Sequence, residues 1–158
     1  MRYKDAKKED LPKEVHAAMK TALEEDKGLF IFGDTGTGKT YTLHAIANNR
    51  NERVDNFVDL LSTFRDSIVQ GWYHDKLIEY ANKERIYIDD MGAEKMSDFV
   101  HEFVYSLLNK RYERMKRTVI STNLTLDDFK KRYGDRILSR IMEMCVLIEL
   151  GGEDRRLG

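Results

Sequence analysis

The 158 residues predict an α/β fold, a parallel sheet covered by helices on both faces. Three observations carry that prediction. Short apolar runs alternate along the chain with segments whose apolar residues recur every three or four positions. The first run, Leu29-Phe30-Ile31-Phe32, leads straight into Gly33-Asp34-Thr35-Gly36-Thr37-Gly38-Lys39-Thr40, with the spacing glycine, four residues, Gly-Lys-Thr. A later run, Ile86-Tyr87-Ile88, ends in Asp89-Asp90, as a strand delivering acid to a sheet edge would.

Residues 2–10 are of mixed charge without periodicity and read as a surface arm. Leu11-Pro12 opens a helix, since proline is tolerated in a first turn. Val15, Met19, Ala22 and Leu23 share one face of it, and Gly28 ends the segment. The first strand follows at residues 29–32. A helix starting near Lys39 packs Leu43, Ile46 and Ala47 inward and stops at Asn48-Asn49. Residues 54–58 form a second strand. Asp59 or Ser62 caps the next helix, where Leu60, Leu61, Phe64 and Ile68 share a face until Gly71. Trp72-Tyr73-His74 make a turn, and a short helix through Leu77, Ile78 and Ala81 closes at Asn82.

The third strand, residues 85–88, precedes a long helix capped by Ser97 or Asp98. Val100, Phe103, Val104, Leu107, Leu108 and Tyr112 line its inner face. Lys110, Arg111, Arg114, Lys116 and Arg117 crowd its end, where cations suit the helix dipole. Val119-Ile120-Ser121 is a fourth strand and Thr125-Leu126-Asp127-Asp128 an acidic cap. Gly134 ends that helix, another runs from Asp135 to about Met142, and residues 146–150 form a fifth strand before a tail at 151–156.

A chain of this length reads as a single domain, 1–158, with an arm and helix over 1–27 and a core over 28–158. No apolar run has membrane-spanning length, and the charged opening Met1-Arg2-Tyr3-Lys4-Asp5 is not a signal peptide. The lone cysteine, Cys145, excludes an internal disulfide, suits a reducing cytoplasm and reads as buried and inert. With a net charge of −1 the whole molecule does not attract polyanions. Residues 101–158 nevertheless carry 12 Lys/Arg against 9 Asp/Glu, which permits a local basic surface.

The glycine-rich loop is where chemistry is expected. Gly33, Gly36 and Gly38 admit backbone angles that turn successive N–H groups toward a phosphate, and the following helix adds its N-terminal dipole. Lys39 is placed to reach β- and γ-phosphate oxygens and the Thr40 hydroxyl to ligate Mg²⁺. The run from Gly33, Asp34, Thr35, Gly36, Thr37 and Gly38 through Lys39, Thr40 and Tyr41 therefore reads as a nucleoside triphosphate site. Asp89 is the candidate second Mg²⁺ ligand, and Asp90 the residue that orients or deprotonates the attacking water. Asn123, in Ser121-Thr122-Asn123 at the carboxyl edge of the fourth strand, is in reach of the γ-phosphate or that water, with a simple turn as the alternative.

Other residues carry two readings each. Arg136 and Arg140, four apart on one helical face, pair with Asp135, Glu143 or solvent, or one of them enters a neighbouring subunit's nucleotide site. Trp72 and Tyr73, with His74 and Lys76 nearby, pack on the adjacent helix or stack on single-stranded bases. His16, His44, His74 and His101 are dispersed and read as ordinary, and Met142 and Met144 as core filler.

Taken together, four stretches resemble the AAA+ ATPase domain of the DnaC/DnaI-type helicase loaders and, close to it, the IstB transposition ATPases. They are residues 33–40, Ile-Tyr-Ile-Asp-Asp-Met-Gly-Ala-Glu-Lys at 86–95, Ser-Thr-Asn at 121–123 and Gly-Asp-Arg-Ile-Leu-Ser-Arg at 134–140. The resemblance runs from about Tyr3 to Arg156. It implies a P-loop NTPase of the AAA+ (ASCE) kind, a three-layer αβα sandwich on a five-stranded parallel sheet of order 5-1-4-3-2. It also implies no C-terminal helical lid and no sensor-2 arginine. ATP with Mg²⁺, rather than GTP, would be the ligand, and copies would associate through the ATP site. Asn123 falls on the sensor-1 position, Arg140 on the arginine finger and Arg136 on its companion. The segment 59–71 falls on an insertion that faces single-stranded DNA.

A hexameric replicative helicase is the partner so implied, and ATP hydrolysis in DNA replication, or a phage or plasmid equivalent, the function. Two departures qualify this. Asp90 stands where such ATPases generally place glutamate, so slow hydrolysis is expected. The family's N-terminal helicase-docking domain has no counterpart before the first strand, so the chain reads as an isolated ATPase module or its partner docks differently. A transposition helper, a small-molecule kinase and a slow ATP-binding switch remain as alternatives.

Overall fold

In the computed structural model, which describes residues 3–151, five strands pair in parallel. They are β1 (Gly28–Phe32), β2 (Val54–Asn56), β3 (Arg85–Asp89), β4 (Arg117–Thr122) and β5 (Cys145–Glu149). Their order, β2-β3-β4-β1-β5, is the expected 5-1-4-3-2 read from the opposite edge. Register is set by pairs such as Phe30 with Ile120, Ile31 with Ile148 and Tyr87 with Val119.

Because side chains alternate across a strand, each strand feeds two cores. Phe30, Ile88 and Ile120 point to one face, where they pack with α3 (Phe57–Gln70), α4 (Tyr73–Ala81), α5 (Asp98–Glu113), α6 (Leu126–Tyr133) and α7 (Asp135–Met144). Leu29, Ile31, Tyr87 and Val119 face the other side, against α1 (Lys13–Glu25) and α2 (Lys39–Asn49). This is a three-layer αβα sandwich.

Local chemistry moves several boundaries. The expected surface arm is anchored: Ala6 and Leu11 are buried beside α1, and the Asn48 amide donates to the carbonyls of Tyr3, Lys4 and Ala6. Helix α1 stops at Glu25 with left-handed Asp26, not at Gly28. Gly28 instead begins β1, where a β-carbon would sit 1.9 Å from the Thr118 carbonyl oxygen, so the neighbouring strand's approach requires glycine. Leu23 lies outside the packed face of α1, 63% exposed.

Strand β2 ends early because the Asn56 side chain accepts the Asp59 N–H (3.2 Å) and starts α3 at Phe57, ahead of the expected Asp59 or Ser62 cap. Ile68, expected inward, is exposed. Tyr73 and His74 belong to α4 rather than to a turn, and Tyr73 packs on the rings of Phe64 and Phe99. Ser97 and Thr125 cap α5 and α6 as expected. Met142 is half exposed rather than core filler, while Met144 packs against the core.

Cys145 is buried, its thiol pushed up to about 12 by that burial, which agrees with an inert role. Among the described residues no helix is long and apolar enough to cross a membrane. Arg2 and the tail at 152–156 lie outside the described residues.

Candidate functional site

Strands β1, β3 and β4 lie side by side with their carboxyl ends at one edge, and the candidate residues come off those ends. After β1 the chain turns through the glycine-rich loop into α2, whose cap is Gly38 at φ 93°, a left-handed value that a β-carbon resists. Lys39 is thereby the first helical residue, and its side chain folds back over the loop. Its ammonium donates to the Asp34 carbonyl (2.6 Å) and to Thr37 Oγ1 (3.2 Å). Burial lowers the pKa of Lys39, with Asp90 and then Asp89 pulling the other way.

Thr40 Oγ1 donates to Asp89 Oδ1 across 3.2 Å, joining the loop to the end of β3. The same carboxylate oxygen accepts from Ser121 Oγ at 2.5 Å, so β4 fixes its orientation. One hydroxyl and one carboxylate are the oxygen donors that Mg²⁺ takes alongside substrate phosphates and water. Among the described residues no group of three or more His, Cys, Asp or Glu gathers into a metal cage, so any Mg²⁺ here would need such shared ligation. The residues fit the ion.

Asp90 sits at φ 60°, a left-handed conformation for a residue with a side chain. Its backbone N–H donates to Ser121 Oγ (2.9 Å) and its carboxylate accepts from Asn123 Nδ2 (3.2 Å). Burial and then the charge of Asp89 raise the pKa of Asp90, opposed by Lys39. A carboxylate with raised proton affinity, held by an amide from the next strand, is suited to orient and deprotonate a water.

Thr40, Asp89, Ser121, Asp90 and Asn123 thus form one hydrogen-bonded set, with the ammonium of Lys39 within electrostatic reach of its two acids. Tyr41 does not join it through its hydroxyl, which donates to Asp10 and accepts from the Lys7 N–H. Arg136 and Arg140 stand apart on α7. Neither has a hydrogen bond or ion pair to the loop, Asp89, Asp90 or Asn123, and neither takes the acids of its own helix. Asp135 pairs with Lys130 (3.5 Å) and Glu143 accepts from the Tyr112 hydroxyl (2.5 Å). Arg140 instead lies over the rings of Tyr112 and Tyr105.

Sequence reasoning passes over a second layer. Glu94, 6% exposed, accepts from the Gly92 N–H (2.8 Å), pairs with Arg132 (3.2 Å) and accepts from the Tyr133 hydroxyl. That cluster pins the turn behind Asp90 from α6. Only the acid within Asp-Asp-Met-Gly-Ala-Glu-Lys could have signalled it. His44, read as ordinary, stacks on Tyr3 (4.9 Å) and lines a polar groove of about 410 Å³ with Asp89, Arg53, Asp55, Lys76 and Glu79. The groove runs from the carboxylate of β3 to α3 and α4.

Comparison with known proteins adds the rest. The family model of the IstB-like ATP binding protein matches residues 3–158. Over 148 residues the chain is 30% identical to the replicative helicase loader DnaI of Bacillus subtilis (strain 168), covering 82% of this chain and 48% of that protein. The chain therefore spans about half the length of that relative. A solved structure of the DnaC helicase loader superposes with a TM-score of 0.79 at 27% identity, over 94% of this chain and 98% of that one. The replication initiator DnaA bound to AMPPCP and single-stranded DNA superposes with a TM-score of 0.75 at 20% identity, over 90% and 47%, a likeness of fold alone.

Proposed function

Since the chain belongs to the IstB-like ATP-binding protein family, we propose that it is a slow AAA+ ATPase that loads a hexameric replicative helicase, in a cell or for a phage or plasmid. The single observation that supports this best is the meeting of Lys39, Thr40–Asp89 and Asp90–Asn123 at one sheet edge. In this reading the loop and Lys39 hold the triphosphate of ATP, and Thr40 and Asp89 hold Mg²⁺, which supplies charge neutralisation at the phosphates. Asp90 takes the proton of the attacking water and Asn123 keeps that carboxylate aimed. The shorter reach of aspartate in place of glutamate makes the step slow. Arg140, with Arg136 beside it, completes the site of a neighbouring copy, so assembly runs through ATP. The unpaired state of both arginines toward Asp135 and Glu143 favours that role over surface ion pairing.

The test is co-purification of the chain with a hexameric replicative helicase. Retention is expected with ATP and Mg²⁺ and not with ADP. Equal retention in both, or none in either, removes the loader reading.

Single-stranded DNA would meet α3 and α4 in this reading, and Trp72 between them is 62% exposed, free to stack on a base. Residues 57–81 carry four acids against two basic residues, so stacking rather than phosphate pairing would carry the contact. Quenching of Trp72, the only tryptophan, by oligo-dT should therefore depend weakly on salt, with a log–log slope of about −1 rather than the steep slope of many phosphate contacts. Trp72→Ala should weaken binding roughly tenfold, read by fluorescence anisotropy of a labelled oligonucleotide. A steep slope with an unaffected Trp72→Ala variant would move the DNA contact elsewhere.

A further inference from the structure

Arg140 is an odd arginine. Its Cζ lies 5.4 Å from the Tyr112 ring centroid and 6.0 Å from that of Tyr105, both on α5. Its Nε and Nη1 are buried with no hydrogen-bond partner among the described residues. Glu143, three residues on along the same helix, is where a surface arginine would ordinarily turn. The Tyr112 hydroxyl already holds that carboxylate at 2.5 Å. Tyr105 is 42% exposed, so the pair of rings lies at the surface rather than in the core.

In an isolated chain this arrangement is poorly repaid. Burying two guanidinium nitrogens, which carry three N–H groups, without acceptors costs more than stacking on two phenol rings returns. What it does provide is order. An arginine side chain has much rotamer freedom to lose, and one already flattened on two rings loses less when an oxyanion reaches it. Tyr112 serves twice: its ring carries the guanidinium and its hydroxyl removes the nearest competing carboxylate.

We infer that Tyr105 and Tyr112 are positioning residues that hold Arg140 ready for the triphosphate of a second copy of this chain. The inference rests on the reading of Arg140 as a finger acting in trans. Among the described residues the platform gives the guanidinium no carboxylate partner, which leaves it available to an acceptor from a second copy.

The experiment uses the full chain with ATP and Mg²⁺ at protein concentrations where copies associate, with Arg140→Ala as reference. Tyr105→Ala and Tyr112→Leu should each lower kcat about five- to tenfold with the KM for ATP within about twofold, as loss of an interaction made only in the transition state requires. Tyr105→Phe keeps the ring and should match the parent. Tyr112→Phe frees Glu143 to capture Arg140 and should fall between. Independently of turnover, the Arg140 Nε–H resonance should be ring-shifted in the parent and in Tyr105→Phe, and should move to an ordinary arginine position in Tyr112→Leu.

Unchanged kcat in Tyr105→Ala and Tyr112→Leu, where Arg140→Ala lowers it, overturns the platform and spares the finger. A drop in kcat that follows lost thermal stability while the Arg140 resonance stays put overturns it as well. If Arg140→Ala itself leaves kcat untouched, the trans reading falls and takes the positioning role with it. The resonance then still reports whether the rings hold the guanidinium.

Discussion

Lys39→Ala should weaken ATP binding on the order of a hundredfold to a thousandfold, the usual result of cutting one partner from a desolvated charge pair. Lys39 is only 6% exposed, and its pKa is lowered by burial. An ammonium kept in such a place has given up water, and the acceptors it has are a carbonyl and a hydroxyl of its own loop. Desolvation without a carboxylate partner offsets what those two bonds contribute, so removing it should leave the melting temperature within about 2 °C of the parent, a change of under about 1 kcal/mol. Asp89 and Asp90 lose a neutralising neighbour in the variant, which adds repulsion toward any polyphosphate and deepens the loss. Titration with fluorescent ATP in Mg²⁺, beside a thermal melt, separates the two effects. An unchanged dissociation constant in a folded variant would mean that the glycine-rich loop is not where the triphosphate is held. The same variant should fail to retain a helicase in ATP.

How much of this is legible in the chain itself depends on how far apart the interacting residues lie. Residues 33–40 are contiguous, so the loop, its strand and its helix can be read directly. Asp89 and Asp90 follow the same logic, a strand ending in acid. The bonds that make those residues a site are long-range. Ser121 reaches Asp89 and the backbone of Asp90, Asn123 reaches the Asp90 carboxylate, and Arg132 and Tyr133 reach Glu94. No periodicity marks such pairs, because each is created by strand order and not by spacing. The left-handed backbone of Asp90 is likewise hard to read from sequence, since aspartate adopts a positive φ more often than most residues but far less regularly than glycine. Errors at the helix edges have a local cause. Asn56 caps α3 with an apolar residue, Phe57, in first position, and that pattern reads equally as a strand continuing. Arg140 shows the same limit: its spacing from Arg136 is plain, but its tyrosine partners come from α5.

Arg111 is the residue whose sequence reading and structure differ most, and it carries the largest expected effect on stability. Its place near the end of α5 suggests a cation soothing the helix dipole in solvent. It is in fact fully buried. Its Nε donates to Thr118 Oγ1 (2.8 Å), Nη1 to the carbonyls of Ala81 (3.0 Å) and Lys83 (2.7 Å), and Nη2 to the carbonyl of Arg117 (2.7 Å). Those acceptors belong to the end of α4, the approach to β3 and the start of β4, so one side chain ties three elements at the amino edge of the sheet. Burial lowers its pKa to about 10, yet it stays charged at neutral pH with oxygen dipoles in place of a carboxylate. Arg111→Met keeps the apolar stem and takes the donor from three carbonyls and a hydroxyl, those of Ala81 and Thr118 buried and those of Lys83 and Arg117 partly so. A cost of about 3–5 kcal/mol follows, because orphaned buried acceptors lose their full hydration. For a chain of this size that cost lowers the melting temperature by roughly 10–15 °C. Arg111→Lys, with a point charge and no fork, should recover only part of it. The candidate nucleotide site lies at the other end of the same strands, so ATP affinity measured well below the melt should change less than about twofold, as for distant independent sites. A melt within 3 °C of the parent for Arg111→Met would show that water replaces the guanidinium at little cost. A large loss of ATP affinity at low temperature would show instead that the two ends of the sheet are coupled.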